Sequence, residues 1–522
     1  MAKFLLCGLA IAAAVAAASL DRPFAATFES RAPLTPRGKI DELVFGRLKQ
    51  RAISPANLCS DAVFVRRAYL DAIGTLPTAD EASQFLASQD PEKRCTLIDR
   101  LLDRPEFADY WAMKWSDLLR IKAEFPIDLW PNAAQAYHHW IWESLRENKP
   151  YDRMAREMLT ASGSNFSVPP VNFYRAMVNR DPRGIAQTVA LTFLGARAEK
   201  WPAERLENLA VFFSQVGSKE TREWKEEIIF FDPSKPRPAA EATLPDGTRA
   251  RLSAARDPRE VFADWLTSPR NPWFARAIGN RVWSWLVGRG IVEEPDDIRP
   301  DNPPSNPELL AFLEQELIAS HYDLKHLYRL ILNSAVYQLS SIPRSDNPQA
   351  EANFAYYPLR RLEAEVLIDA LCQITGTTEP YTSAIPEPYT VMPEDQHAIG
   401  LPDGSITSSF LELFGRPPRD TGLESERNNR PSSAQRLHLL NSTHVQRKLE
   451  QSPKLLELMT RNAKDPKAVV TGVYLAILSR PPSEEEWKAV QAYSQAGNAK
   501  GRQAVLDLAW ALINTSEFLY RH

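Results

Sequence analysis

The chain has 522 residues, and its 62 Lys and Arg against 66 Asp and Glu leave a net charge of −4. This length predicts two or three domains, and a hydrophobic fraction of 44% is enough for real cores. The charge balance and the lack of a long basic stripe exclude a typical nucleic-acid-binding protein. The 41 prolines against 20 glycines favour rigid helix boundaries over flexible linkers.

Residues 1–26 are typical of a secretory signal peptide. Lys3 precedes an apolar run from Phe4 to Ala18, which is too short to span a membrane comfortably and ends in small residues. An uncleaved anchor is the alternative. We therefore expect an exported protein, periplasmic or extracellular, with no membrane span after cleavage.

Export would leave three cysteines in the mature chain, because Cys7 lies within the signal peptide. An oxidising compartment permits one disulfide among them. Cys59 and Cys95 flank one helical unit and are the candidate pair, which leaves Cys372 as the free thiol.

Residues 27–218 predict an N-terminal helical domain. Helical periodicity runs through residues 39–119 and includes a capping box at Thr78 and Glu81. The stretch 129–159 is rich in aromatic residues, which suit a sugar-stacking platform or, more commonly at helical spacing, a core. Three charged residues among apolar neighbours indicate a buried ion network: Arg66, Arg67 and Asp71.

Helical periodicity ends in residues 219–256, and this stretch predicts a linker with a small β element at the domain junction. Residues 228–231 form an apolar, strand-like run, and residues 242–252 predict a hairpin that turns at Pro245-Asp246-Gly247. Residues 257–522 then predict a C-terminal helical domain. The fold class is therefore mainly α, a multi-helical protein of two domains with a small β element between them.

The stretch 271–310 predicts two helices joined by an elbow. Asn271 can cap the first helix, and Gly288 can end it in a positive-φ conformation. Ser305 and Glu308 form a capping box for the second helix. The elbow between the helices is acidic and rich in proline.

Polar residues in and beside this elbow form the first candidate site: Asn280, Arg281, Asp296, Asp297 and Arg299. The adjacent carboxylates can ligate a cation or serve as an acid and a base. Alternatively, they accept N–H bonds in the turn and pair with the arginines, as aspartates in turns commonly do. No further ligand stands at a diagnostic spacing, so we expect no metal site.

A second polar cluster follows residues 377–409, a proline-containing segment with little periodicity that predicts a surface excursion. Its candidate residues are Arg416, Arg419, Glu424, Glu426 and Arg427. Loops on a rigid scaffold often carry function, while a salt-bridge cluster in water is the alternative. His438 and His444 can border the same area or be packed helix residues.

Ordered motifs run along most of the chain. The first half contains FVRRAYLDAIGTLPTADEASQFL and DRLLDRPEFADYWAMKWSDLLR, and the second contains DWLTSPRNPWFARAIGNRVWSWLVGRGIVEEPDDIRPDNPPSNPELL, RRLEAEVLIDAL and FGRPPRD. Together they resemble the paired domains of unknown function that occur with cytochrome c modules in planctomycete and verrucomicrobial bacteria. The resemblance implies export, a large helical architecture and a two-domain layout.

Two departures separate this chain from many of the relatives it resembles. Those relatives carry Cys-x-x-Cys-His, the attachment signature of c-type haem, after the helix that matches LTFLGARAE. Here the chain runs from Gly195 directly to Trp201, and a second thiol site is replaced by Leu423-Glu424-Ser425. We therefore expect no haem and no other cofactor.

Three functions are compatible with this sequence. The favoured one is an exported protein that binds an envelope protein or a cell-surface polymer without catalysis, because no nucleophile–base motif or phosphate loop is present. The alternative is an enzyme on an envelope polysaccharide, with Asp296 and Asp297 or Glu424 and Glu426 as acid and base. A periplasmic electron-transfer component is disfavoured by the missing haem motif.

Overall fold

The protein is mainly α-helical, as predicted, and its strands are short. A computed structural model describes residues 25–235, 240–496 and 500–522. The helices of the first half are α1 (Lys39–Gln50), α2 (Asp61–Ala72), α3 (Ala79–Ala87), α4 (Lys93–Leu102), α5 (Pro105–Leu118), α6 (Pro131–Arg146), α7 (Tyr151–Thr160), α8 (Asn172–Arg175), α9 (Pro182–Leu194) and α10 (Ala203–Ala210).

The helices of the second half begin after residue 257. They are α11 (Pro258–Leu266), α12 (Phe274–Val287), α13 (Pro307–Ala319), α14 (Leu324–Leu332), α15 (Ala364–Thr375), α16 (Ser409–Leu413), α17 (Ser433–Asn441), α18 (Thr443–Glu450), α19 (Pro453–Arg461), α20 (Pro466–Leu478), α21 (Glu484–Gln495), α22 (Arg502–Ile513) and α23 (Ser516–Leu519).

The strands form three small antiparallel sheets. They are β1 (Gly163–Ser164), β2 (Val216–Glu220), β3 (Glu227–Phe231), β4 (Glu241–Thr243), β5 (Arg249–Arg251), β6 (Arg360–Arg361) and β7 (Tyr520–Arg521). The first sheet has the order β1-β3-β2, and the others pair β4 with β5 and β6 with β7. The predicted strand at 228–231 and the hairpin at 242–252 are therefore confirmed.

Local sequence explains most of the helix boundaries near the candidate sites. The Oδ1 atom of Asn271 accepts bonds from the first amides of α12, and Gly288 ends that helix at φ 91°, as predicted. The predicted cap of α13 is wrong by one residue, because Asn306 caps this helix by accepting a bond from the Leu309 amide. Ser305 instead donates both its amide and its hydroxyl to the Ile291 carbonyl in the elbow.

The two halves of the chain share one apolar core. A continuous cluster of buried side chains runs from Ile40 in α1 to Phe518 in α23. Helix α12 packs against α9 from the first half and against α13 and α14 from the second, while α1 packs against α13 and α3 against α20. Neighbours in the core are therefore often distant in the sequence, and the predicted boundaries at 218 and 256 stay a prediction.

The predicted ion network on α2 is present and reaches the C-terminal residues. Asp71 accepts hydrogen bonds from two buried tyrosines and contacts Arg360 and Arg521. Arg521 and Lys114 both pair with Glu363, at 2.6 and 2.7 Å. Two arginines of α2 depart from the prediction, since they donate to main-chain carbonyls rather than to carboxylates: Arg66 and Arg67.

The predicted disulfide between Cys59 and Cys95 is absent, and both residues are free thiols. Arg94, rather than Cys95, is the residue of α4 that contacts Cys59, and its guanidinium donates to the Cys59 carbonyl at 2.8 Å. Consecutive helical side chains point about 100° apart, so Cys95 is directed elsewhere. Burial is the main cause that raises the pKa of Cys95.

In the part of the chain that the structure describes, no helix is long and apolar enough to cross a membrane. The predicted signal peptide, residues 1–26, falls almost entirely on residues 1–24, which lie outside the described part.

Arg521 offers a test of how strongly the C-terminal residues hold the two halves together. Arg521→Met would leave the buried carboxylates of Asp71 and Glu363 short of a cation, so we expect the free energy of unfolding to fall by about 3–5 kcal/mol. Arg249→Met is the control, because Arg249 is 80% exposed and its ion pair contributes about 0–1 kcal/mol. Urea unfolding measures both variants, and equal stabilities would contradict the expectation.

Candidate functional site

A buried ion pair fixes the elbow between α12 and α13. Arg281 Nη1 lies 2.8 Å from Asp296 Oδ1, and both side chains are 1% exposed. The other carboxylate oxygen of Asp296 accepts a bond from the Glu424 amide at 2.6 Å. The elbow is thus tied to the second polar cluster through the main chain of Glu424.

The elbow also touches the first half of the chain. Asn280 holds the start of the elbow, because its amide group donates to and accepts from the main chain of Val292 at 2.9 Å. Farther along, the Ile298 amide donates to the Gly195 carbonyl at the end of α9. A Cβ atom on Gly195 would lie 3.0 Å from the Pro295 carbonyl oxygen, so glycine permits the close approach.

Asp297 and Arg299 do not join this buried pair. The Asp297 carboxylate faces Lys200 and Arg299 at 3.4 and 3.3 Å, near the surface. Arg299 is 44% exposed and also contacts Asp301. Asp296 and Asp297 therefore point in different directions and do not present a shared pair of carboxylates to one ligand.

The second polar cluster closes around two carboxylates from other helices. Arg427 binds Asp117 of α5 at 2.6 Å and Glu365 of α15 at 2.7 Å. Arg419 also pairs with Asp117, at 2.9 Å, and Arg416 lies 3.5 Å from Glu365. All three arginine side chains are at most 6% exposed, so the alternative of a solvated cluster is wrong for them.

Glu424 and Glu426 shape the loop that carries these arginines. Glu424 accepts a bond from the indole of Trp285 at 2.9 Å, which adds a second link to α12. Glu426 accepts from the amides of Asp420 and Thr421 and closes a tight turn. Each glutamate is therefore engaged by its own N–H donors.

The charged state of this cluster is strongly stabilised. Burial by itself raises the pKa of Glu365, but Arg427 and Arg416 outweigh it and lower the pKa to about 2. Burial, with the neighbouring charge of Arg419, lowers the pKa of Arg416 to about 10, but this value is still well above 7, so the guanidinium is charged at neutral pH. We call these buried charged residues the ionic lock. It consists of the Arg281–Asp296 pair and of Asp117, Glu365, Arg416, Arg419 and Arg427.

Sequence reasoning missed Asp117 and Glu365 as members of the ionic lock. The available signal for Asp117 was its place in α5, where Lys114 and Asp117 stand three residues apart among aromatic and aliphatic residues. A charged pair on such a helix indicates a buried partner elsewhere. Glu365 belongs to a run of charged residues at the start of an apolar helix. This pattern indicates that a polar group is needed there, but it does not identify the residue that pairs with Glu365.

The ionic lock is a structural unit rather than an open reaction site. Its carboxylates are engaged by arginines or main-chain amides, and the paired Asp296 is sealed from solvent. Among the described residues, no group of three or more His, Cys, Asp or Glu side chains is placed to hold a metal ion. The contacts of the ionic lock and of the elbow hold α5, α9, α12 and α15 in fixed relative positions.

The two candidate histidines lie together at the edge of the second cluster. His438 Nε2 and His444 Nδ1 are 3.3 Å apart, and His444 Nε2 lies 2.8 Å from the Glu379 carboxylate. Both imidazoles also pack against the ring of Phe410. Burial and the neighbouring His444 lower the pKa of His438, so this imidazole is neutral at pH 7.

An exposed cluster of aromatic rings is the best candidate for a binding surface. Trp130 lies with its ring centroid 6.3 Å from that of Trp224 and 5.2 Å from that of Tyr389. Trp224 is 66% exposed and Tyr389 is 50% exposed, while Trp130 is half-buried beneath them. We call these three residues the aromatic face.

The main chain under the aromatic face is held in an unusual conformation. Asp128, Trp130 and Lys225 have φ values of 59°, 69° and 62°, in the left-handed region that non-glycine residues rarely adopt. An ion pair between Lys225 and Asp128, at 2.9 Å, joins the two strained segments. The Asp128 and Lys225 carbonyls accept bonds from the side chains of Arg175 and Asn165. Strain that is held in this way is commonly found at ligand sites.

The sequence pointed to only part of the aromatic face. Trp130 belongs to the aromatic stretch for which a sugar platform was the alternative to a core. Trp224 lies in the turn between β2 and β3, and Tyr389 lies in the predicted surface excursion, which has no α-helix between α15 and α16. The signal for both was a large aromatic residue in a polar, non-periodic segment, where no core position needs it.

The adjacent aspartates of the elbow provide a matched pair of variants. Asp296→Asn would leave Arg281 buried without a counter-charge, so we expect the free energy of unfolding to fall by about 3–5 kcal/mol. Asp297→Asn removes a contact between partly exposed groups and should cost at most about 1 kcal/mol. Urea unfolding compares the two, and a larger loss for Asp297→Asn would refute the buried pair as the dominant contact.

The ionic lock also predicts how stability depends on pH. Because the pKa of Glu365 falls from its usual 4.5 to about 2 on folding, its contribution is present above pH 4.5 and is lost as the pH falls toward 2. This shift corresponds to about 3 kcal/mol. In Glu365→Gln the free energy of unfolding should be lower at pH 7 and should change less between pH 4.5 and 2, as measured by urea unfolding at each pH. A variant with the same pH dependence as the natural chain would contradict this assignment.

Two family models match the chain in consecutive order. The model described as PSCyt2, a protein of unknown function (DUF1549), matches residues 39–208. The model described as PSD1, a protein of unknown function (DUF1553), matches residues 258–494. No curated protein and no solved structure matches the chain. The order and extent of the two matches agree with the motifs quoted above, and the chain therefore belongs to the family of proteins that pair these two domains of unknown function.

Proposed function

We propose that this protein is exported and binds a polysaccharide of the cell envelope on the aromatic face. The single observation that carries the proposal is the meeting of Trp130, Trp224 and Tyr389, which come from three separate segments and leave two large rings in water. Exposed apolar clusters of this kind typically mark interaction sites.

Sugar rings suit such a surface for a physical reason. One face of a pyranose ring carries mostly C–H groups, which are apolar and slightly positive, while the face of an indole or phenol ring carries negative potential. Stacking therefore removes apolar area from water without burying the sugar hydroxyls. The half-buried Trp130 fixes the positions of the two exposed rings, which lowers the entropy lost on binding.

Charged groups lie next to the aromatic face in the sequence segments that carry Trp130 and Trp224. Asp128 and Lys225 are partly exposed, and Glu227 is held beside them by Arg175 and Arg180. Fixed charges and a few hydrogen-bonding groups around an apolar centre are the usual composition of a specific ligand site. This arrangement favours a hydroxyl-rich ligand over a purely apolar one.

Export is the part of the proposal that rests on sequence alone. The basic residue, short apolar run and small residues of positions 1–26 are typical of a signal peptide, and an envelope ligand requires this location. Fractionation of cells that produce the full chain tests it. A precursor that stays in the cytoplasm at full length would refute this part.

Catalysis on the polysaccharide receives less support than binding. The carboxylates suggested as acid and base are committed elsewhere, since Asp296 pairs with Arg281 and Glu424 accepts from Trp285. Glycosidases need two carboxyl groups facing each other across an open cleft, about 5–10 Å apart. The aromatic face is therefore better suited to holding a polymer than to cleaving it.

Removal of the exposed rings tests the binding proposal. The double variant Trp224→Ala, Tyr389→Ala should keep its fold, because both rings are largely exposed, and should lose at least about 10-fold in affinity for the bound polysaccharide. The measurement is co-sedimentation with insoluble chitin, cellulose and chitosan. Trp510→Ala, which removes a tryptophan 40% exposed on α22, is the control and should bind normally. Equal binding by the double variant would refute the proposal.

A further inference from the structure

The three rings of the aromatic face lie in different planes. The plane of Trp224 makes an angle of 86° with that of Trp130, and the plane of Tyr389 makes an angle of 60° with it. The planes of the two exposed rings therefore differ by at least the difference between these angles, 26°. The aromatic face is a folded surface rather than a flat one.

The orientation of the Trp224 ring is held by its neighbours. Lys225 Nζ lies over the indole, 5.7 Å from its centroid, which is within the range of a cation–π contact. The same ammonium group pairs with Asp128 at 2.9 Å, so it is anchored to the segment that carries Trp130. One face of the indole is therefore directed at Lys225, and the opposite face is left for a ligand.

The position of Tyr389 is held by its own main chain. Its amide donates to the Pro386 carbonyl at 3.1 Å, and the amide of the next residue, Thr390, donates to the same carbonyl at 3.3 Å. Thr390 is 2% exposed, so the chain beside Tyr389 is anchored in the protein. Because Trp130 contacts both exposed rings, turning either ring to match the other would give up that contact.

A folded surface of this kind distinguishes between two physical forms of a polysaccharide. In a crystalline polysaccharide the chains pack side by side, and the sugar rings at a flat surface are nearly parallel to one plane. Stacking requires an aromatic ring to lie parallel to the sugar ring, so only one of the two exposed rings can stack on such a surface. A single chain can rotate about each glycosidic bond, which lets different sugar rings turn toward both aromatic rings.

One short stretch of chain can reach both exposed rings. The centroids of Trp224 and Tyr389 lie 6.3 and 5.2 Å from that of Trp130, so they are separated by no more than the sum of these distances, 11.5 Å. A short oligosaccharide spans this separation. Both rings can therefore stack on sugar units of the same chain.

We propose that the aromatic face binds a single glycan chain, either in solution or in the amorphous regions of a polymer, and not the flat surface of a crystalline polysaccharide. Trp224 and Tyr389 each stack on a different sugar ring of that chain. The assignment rests on the proposed function, because it takes the ligand of the aromatic face to be a polysaccharide.

Two physical forms of the same polymer test this inference. The probes are amorphous regenerated cellulose and microcrystalline cellulose, together with the same two forms of chitin. We expect the natural chain to bind the amorphous form about 5- to 10-fold more tightly, because the stacking of one ring is lost on a crystalline surface. Co-sedimentation over a range of protein concentrations gives the dissociation constants, which do not depend on the number of accessible sites. Equal or tighter binding to the crystalline form would overturn the inference.

Soluble hexamers provide a second comparison. Cellohexaose or the N-acetylglucosamine hexamer should displace the natural chain from the matching amorphous polymer. Trp224→Ala and Tyr389→Ala, each made alone, should lower the affinity for that hexamer by about 3- to 10-fold, as measured by isothermal titration calorimetry. Trp510→Ala is again the control and should bind normally. A loss in only one of the two single variants would contradict the shared chain.

The outcomes separate this inference from the proposed function. If the natural chain binds crystalline polymer at least as tightly as amorphous polymer, and the double variant of Trp224 and Tyr389 loses this binding, the aromatic face stands and only the inference is wrong. If the double variant binds amorphous polymer as tightly as the natural chain does, the proposed function is wrong and the inference fails with it. If the natural chain binds neither form of either polymer and neither hexamer at millimolar concentration, both are refuted.

Discussion

The structure depends on buried arginine–carboxylate contacts that cross from one half of the chain to the other. Arg427 alone binds Asp117 from the first half and Glu365 from the second. Removing such charges from water costs several kcal/mol for each ion, and only close pairing with further hydrogen bonds offsets that cost. The helices must therefore meet in one arrangement, because a shift of one turn would leave a charge buried and unpaired. The ionic lock specifies position more than it adds stability.

This constraint explains why the binding residues lie where they do. The lock and the shared core hold α5, α9, α12 and α15, and the segments between helices are carried on that rigid frame. The aromatic face is assembled from three such segments, and each supplies one ring. Function placed on loops over a fixed scaffold can vary without disturbing the core.

The motifs that carry the family resemblance and the residues of the aromatic face are different parts of the chain. Asp117, Arg281, Asp296, Glu365 and Arg416 all lie within the quoted motifs, and they build the ionic lock. Trp130, Trp224 and Tyr389 lie outside them. The quoted motifs therefore describe the frame of this protein, while the family matches also extend over Trp130 and Tyr389. The chemistry of the surface that this frame carries has to be read from the chain itself.

The sequence by itself determined the helical class, the strand at 228–231, the hairpin and most caps, because these depend on periodicity and on contacts within a few residues. It also indicated that the elbow and residues 416–427 carry clusters of polar residues. Only the tertiary structure decided that Asp297 and Arg299 face outward, that Cys59 and Cys95 do not pair, and that Asp117 and Glu365 complete the lock. Trp224 and Tyr389 joined Trp130 for the same reason. The contacts of the lock and of the aromatic face link residues about 60 to 310 positions apart, and no local pattern encodes the direction of such residues in space.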